Sequence, residues 1–196
     1  MSSHCYGVAF GDVSGIIGDA VTIEPSCLST PSRNFVNDEV WLVDANAEHW
    51  IEVGFVQLGS NLNYGGITTA GRYGYWGDLR PGSNYFAHVL QNNPPLSPGV
   101  GAQIQTNGKD SWASFFNGHE GTSTGNTMTP AFGEYGSETS SASAHSVSIG
   151  DNAVYQTASG WSTGVPGEPG SGYTAESPET FSWQVKYNNY FAGVQC

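Results

Sequence analysis

A chain of 196 residues and 20.7 kDa is long enough for one well-buried domain and short for two. Only 11% of it is charged, against 27 glycines and 13% aromatics, which is the composition of an all-β protein rich in turns. A formal net charge of −12, with five lysines and arginines in all, leaves too few cations to neutralise phosphates and argues against nucleic acid as a partner. No run of about 18 apolar residues occurs, so no membrane-spanning helix is expected and the protein reads as soluble.

At the start, "MSSHCYG" has neither the basic nor the apolar region of a signal peptide. Either a signal was removed and a Met added, as the acidic charge of an exported protein would suit, or none existed. Cys5 and Cys27 flank "GVAFGDVSGIIGDAVTIEP", which reads as a hairpin, so residues 1–30 are expected to form an amino-terminal strand pair. A Cys5–Cys27 disulfide would staple that pair, the alternative being two buried thiols; Cys196 is left over. Three cysteines so scattered make no zinc pattern, and no Cys-x-x-Cys redox motif occurs.

Further along, alternating segments recur between Gly, Asn, Asp and Pro turns: "AVTIEPS", "DEVWLVD", "HWIEVGFVQ", "GRYGYWGDL", "YFAHVLQ", "GAQIQTN", "SWASFFNG", "AFGEYGSETS", "SVSIGD" and "FSWQVKYNNYF". None carries a 3.6-residue apolar stripe. This pattern predicts an all-β fold, a two-sheet antiparallel β-sandwich or jelly roll, in one domain over 1–196. "TNGKDSWASFFNGHEGTS", with an Asn-Gly turn at Asn117 and Gly118, resembles a hairpin of concanavalin-like sandwiches. The Gly-, Ser- and Pro-rich stretch 159–180 reads as a long surface loop.

Two segments carry chemistry. In "HWIEVGFVQ" alternation puts Trp50, Glu52, Gly54 and Val56 on one face and Ile51, Val53 and Phe55 on the other, the core side. Glu52 thus sits mid-strand beside a Trp, with a glycine next along that leaves room for a ligand; an ordinary solvated face is the alternative. In "PAFGEYGSETSS" an unbulged strand puts Phe132, Glu134, Gly136 and Glu138 on one face. Were the two strands near each other in one sheet, their acids would converge. Two like charges about 5 Å apart in an effective dielectric near 20 repel by roughly 3 kcal/mol, or about two pKa units. One acid would then keep its proton while the other stayed ionised, as hydrolysis of a peptide or a glycoside requires. The Gly-x-Ser-x-Gly spacing occurs as "GTSTG" (121–125) and "GWSTG" (160–164), but neither is followed by a helical stripe that would make a nucleophile elbow, and no His-Glu-x-x-His pairing occurs, so a serine triad or a zinc site finds little support. Asp12, Asp19, Asp110 and Asp151 could each help hold calcium in a loop, but no EF-hand spacing appears.

In the same order, "DEVWLVD", "WIEVGF", "RYGYWGDLRPGSNYFAHVLQ", "SWASFFNGHEGTSTG" and "FGEYGSE" resemble the catalytic domain of the neprosin family of glutamic endopeptidases. That family has an Ile-Glu-[Val/Ala]-Gly strand and a Phe-Gly-Gly-Glu strand carrying its two catalytic glutamates. The resemblance covers roughly residues 38–140. Fungal glutamic peptidases are similar in outline, with Gln where the first Glu stands. Residue by residue, the resemblance implies Glu52 as the first catalytic glutamate and Glu138 as the second, with Glu134 as its rival. Trp50, Tyr73, Tyr75 and Trp76 would line the substrate cleft, the alternative for each being core packing. It further implies a concanavalin-like sandwich, acid-optimal endopeptidase activity on a polypeptide substrate, cleavage near proline, secretion, and no metal or other cofactor. A monomer is expected. The reading from another class is a carbohydrate-binding or surface sandwich, since aromatic rings stack on sugars and Asn, Asp and Glu bind hydroxyls. A laminarinase-like glycosidase is disfavoured, because "EYGSE" lacks the Glu-x-Asp-x-x-Glu spacing.

Overall fold

Alternation along the strands decides which side chains meet between the sheets. The computed structural model describes the backbone at residues 4–106, 110–141, 145–164, 173–175, 182–186 and 189–193, and side chains at 4, 13–25, 28–106, 110–141 and 150–164. The strands are β1 (Cys5–Asp12), β2 (Gly18–Ser29), β3 (Phe35–Asp44), β4 (Trp50–Leu58), β5 (Gly71–Leu79), β6 (Phe86–Asn92), β7 (Val100–Thr106), β8 (Ser111–Phe116), β9 (His119–Thr124) and β10 (Pro130–Thr139). They continue with β11 (His145–Thr157), β12 (Gly160–Thr163), β13 (Tyr173–Ala175), β14 (Ser182–Lys186) and β15 (Asn189–Gly193). One sheet runs β13-β1-β10-β3-β4-β5-β6; the other runs β14-β15-β11-β2-β7-β8-β9, with β12 on β11. The molecule is the all-β, antiparallel two-sheet sandwich that the alternation predicts.

Between the sheets lie Val40, Leu42, Ile51, Val53, Phe55, Trp76 and Tyr135 from one side and Val21, Ile23, Ala102, Ile104, Trp112 and Phe116 from the other. Phe55 and Phe116 meet edge to face, ring centroids 4.9 Å apart. Phe116→Ala is therefore expected to cost about 3–5 kcal/mol in urea unfolding, the usual loss for a buried ring. The turn after Phe116 fits its sequence signal: Asn117 and Gly118 both have positive φ (50° and 79°), the two-residue hairpin geometry.

Two expectations are corrected. Residues 1–30 do not form a hairpin: β1 pairs with β10 from Cys5 opposite Thr139 to Asp12 opposite Phe132, whereas β2 pairs with β11 and β7 in the other sheet. The short connection is the reason. Val13 N–H donates to Ala131 of the first sheet and Ile17 N–H to Gln156 of the second, so the chain steps across the sandwich and buries Ile16 in the core. The expected Cys5–Cys27 bridge, and Cys196, fall outside the described side chains. The stretch 159–180 includes β12, paired with β11, and β13, paired with β1; residues 165–172 and 176–180 lie outside the described residues.

A second apolar cluster lies on the outer face of the first sheet, where Tyr64 and Ile67 from the β4–β5 connection pack with Phe35, Val56, Leu58, Tyr73, Tyr75 and Ala87. The outer face is thereby partly covered. Its buried acids sit at the edge of this cover.

Candidate active site

Three adjacent strands, β10, β3 and β4, carry the acids. Glu52 of β4 stands opposite Trp41 of β3 and Gly77 of β5, and Glu138 of β10 stands opposite Asn37 of β3. Counting by twos, Asn37, Glu39 and Trp41 share the outer face of β3. The middle strand thus inserts a third acid, Glu39, whose ladder neighbours are both glycine, Gly54 and Gly136. A Cβ on Gly54 would lie 2.6 Å from Glu39 Cα and Cβ. The room that the sequence suggested for a ligand beside Glu52 is filled by Glu39.

Glu52 is 3% exposed and Glu138 8%. Glu52 Oε2 accepts the indole N–H of Trp50 at 2.7 Å and of Trp41 at 3.1 Å. Its Oε1 meets the hydroxyls of Tyr75 at 3.1 Å, Tyr64 at 3.3 Å and Tyr85 in close contact. An indole can only donate, so a proton on Glu52 belongs on Oε1, where a hydroxyl can turn to accept it. Tyr85 gets there because residue 77 is glycine: a Cβ would stand 2.6 Å from both Glu52 Oε1 and the Tyr85 hydroxyl.

Asn37 links the two predicted acids. The backbone N–H of Glu138 donates to Asn37 Oδ1 at 2.7 Å, which turns Nδ2 toward Glu138 Oε2 at 3.4 Å, Tyr64 at 3.2 Å and Tyr75 at 3.4 Å. On the far side, His4 Nδ1 contacts Glu138 Oε1, and the His4 ring lies edge-on to Phe35.

The charges are out of balance. Burial pushes Glu52 up to about 7, opposed by hydrogen bonds from Tyr85, Trp50 and Trp41 and reinforced by the charge of Glu138. Burial holds Glu39 well above the carboxylate range, with Glu52, Glu138 and Asp38 adding to it. The hydrogen bond to Glu138 raises His4 despite partial burial. Burial and the Glu52 charge keep Tyr64 and Tyr85 protonated, so their hydroxyls remain donors. Among the described residues no group of three His, Cys, Asp or Glu could hold a metal ion.

The other predicted residues divide. Trp50 and Tyr75 touch Glu52 directly. Tyr73 is on the same face, but its hydroxyl donates to Thr69 carbonyl at 3.0 Å and anchors the β4–β5 connection. Trp76 does not line the site: one residue along from Tyr75, it points between the sheets, where a Cβ on Gly121 of β9 would strike its indole. Glu134 stands opposite Trp41, partly exposed, and it is Glu138 whose charge acts on Glu52. Asn37, Glu39 and Trp41 went unread in the sequence although "NDEVW" alternates; Tyr64 and Tyr85 sit in connections with no period to find them by, and His4 lies just before β1.

No family model and no curated protein matches the chain. Among solved structures it is similar to scytalido-glutamic peptidase with a peptide-based transition-state analogue, at TM-score 0.65 and 9% identity over 100% of both chains. It is also similar to SCP-B, a member of the Eqolisin family of peptidases in complex with the tripeptide Ala-Ile-His, at TM-score 0.63 and 8% identity over 100% of both chains. At such identities the likeness establishes a shared sandwich fold.

Proposed function

We propose that the protein is a glutamic endopeptidase of the neprosin-like kind, working in acid on unfolded polypeptide with Glu52 and Glu138 as its catalytic residues. The observation that carries this reading is a buried, hydrogen-bonded Glu52 tied through Asn37 and Tyr64 to Glu138, on a fold shared end to end with glutamic peptidases. Glu138, with the imidazole of His4 against it, is the general base. It takes a proton from a water molecule as the water oxygen bonds to the peptide carbonyl carbon. Glu52, neutral below about 7, donates to the carbonyl oxygen and gives its proton to the amine as the C–N bond breaks. One acid gains the proton the other loses, so the charge of the pair is unchanged. A neutral carboxyl, like an amide, both donates and accepts, which makes Glu52 compatible with the glutamine found there in fungal relatives. Secretion, a monomeric state and cleavage near proline belong to the same proposal.

Digestion of a denatured protein mixture from pH 2.5 to 7, with sequencing of the products, tests it. Cleavage is expected to fade as pH rises toward 7 and to be indifferent to chelators and serine-protease inhibitors. Loss of activity on chelation, or no cleavage at any pH by folded protein, overturns it. A sugar-binding role is the second reading. Its place would be the other sheet, where Phe115, Gln103, Thr22 and Asn152 help line a depression of about 430 Å³, and glycan binding without peptide turnover would favour it.

A further inference from the structure

The two-acid chemistry leaves Glu39 without a role, yet Glu39 is the most deeply placed acid of the cluster. It is 0% exposed, its Oε2 contacts the Tyr75 hydroxyl, and its Oε1 has no hydrogen-bond partner. An ionised carboxylate in such a place needs a cation. Among the described residues, the groups around it are Asn37, Asp38 and Trp41 on its own strand, Glu52 on β4, Tyr75 on β5, Glu138 on β10 and Tyr64 from the β4–β5 connection. All are acids, phenols, an amide or an indole, and the nearby imidazole of His4 is engaged with Glu138. Glu39 is therefore neutral and has one proton to donate. On Oε1 that proton would find no acceptor, so it belongs on Oε2, against the Tyr75 oxygen. Tyr75 must then point its own proton onward, and Glu52 Oε1 lies 3.1 Å away.

We propose that Glu39 is a third acid of the site, a positioning residue that stays protonated and, by donating to Tyr75, aims the Tyr75 hydroxyl at Glu52 Oε1. The proposal rests on the reading of Glu52 as the acid and deepens it. A hydroxyl held in that direction stabilises the Glu52 carboxylate and so eases release of its proton to the departing amine.

The test is a ¹³C NMR titration of the glutamate carboxyls from pH 3 to 9 in wild type, Glu39→Gln and Tyr75→Phe, alongside the pH profile of cleavage. Glu39 is expected to stay neutral throughout the titration of Glu52. The Glu52 midpoint should be unchanged in Glu39→Gln, whose amide N–H donates to Tyr75 in the same place. In Tyr75→Phe it should rise by about one unit, the worth of one hydrogen bond to a charged acceptor, and the alkaline limb of the cleavage profile should move with it. A purely structural role would lower activity without moving that limb. Ionisation of Glu39 below the Glu52 midpoint, a lowered Glu52 midpoint in Glu39→Gln, or an unmoved one in Tyr75→Phe would each overturn the proposal. Absence of peptide cleavage would remove the peptidase reading and leave the titration to decide the Glu39 arrangement by itself.

Discussion

Glu138→Gln is expected to lower kcat/KM for peptide cleavage by about 10³- to 10⁴-fold, the upper range for removing a positioned acid or base. Its amide cannot take the proton of water, and the bonds to Asn37 and His4 hold the side chain so closely that no neighbouring group can step in. Glu52→Gln is expected to cost less, about 10²-fold, because the amide still donates a hydrogen bond while losing the proton owed to the amine. Glu134→Gln should leave the rate within a few-fold, since Glu134 is not among the groups bonded to Glu52. Steady-state rates on one peptide at pH 4, with circular dichroism to confirm folding, decide the matter. Equal, small effects of all three substitutions would reject the dyad, and a large effect of Glu134→Gln alone would move the second catalytic role to that residue.

The protein is expected to be more stable at pH 4 than at pH 8, contrary to the common loss of stability in acid. Glu52 has a folded pKa of about 7 against an ordinary 4.5, so the folded state binds more protons than the unfolded one between those values. Its contribution is complete below 4.5 and is lost as pH rises to 7, an amount of about 3 kcal/mol at 1.36 kcal/mol per unit. The raised carboxyls of Glu39 and Asp19, both buried, act in the same direction. So does His4, whose pairing with Glu138 holds below its ordinary 6.5 and fades as pH climbs through its raised value. Among the described residues the lowered Asp44, beside His49, works oppositely, contributing above 3.8 and losing that contribution in stronger acid. Urea midpoints at the two pH values measure the balance, and Glu52→Gln should flatten the difference by about 3 kcal/mol. Stability that climbs steadily from pH 4 to pH 8 would mean that Glu52 is ionised in the folded protein.

Much of this site is a local property of the chain. Alternation in "HWIEVGFVQ" and "AFGEYGSETS" is set by the pleat of each strand, so Ile51, Val53 and Phe55 turn inward and Glu52 and Glu138 outward whatever surrounds them. The turn at Asn117 and Gly118 is equally local, since two residues of that type supply the positive φ values a tight hairpin needs. Which strands lie side by side is not local. Pairing is decided by burial and ladder hydrogen bonds between residues far apart in sequence, and this put β1 against β10, seated β3 with Glu39 between the two predicted acids, and turned the aromatic Trp76 into core. Tyr64 and Tyr85 reach Glu52 from irregular connections, where no period announces a face. Glu52 and Glu138 were therefore readable from the sequence by itself, whereas Glu39 was not. The phenols, indoles and amide that govern their protons were selected by tertiary contacts, because hydrogen-bond partners are chosen by position in space rather than by spacing along the chain.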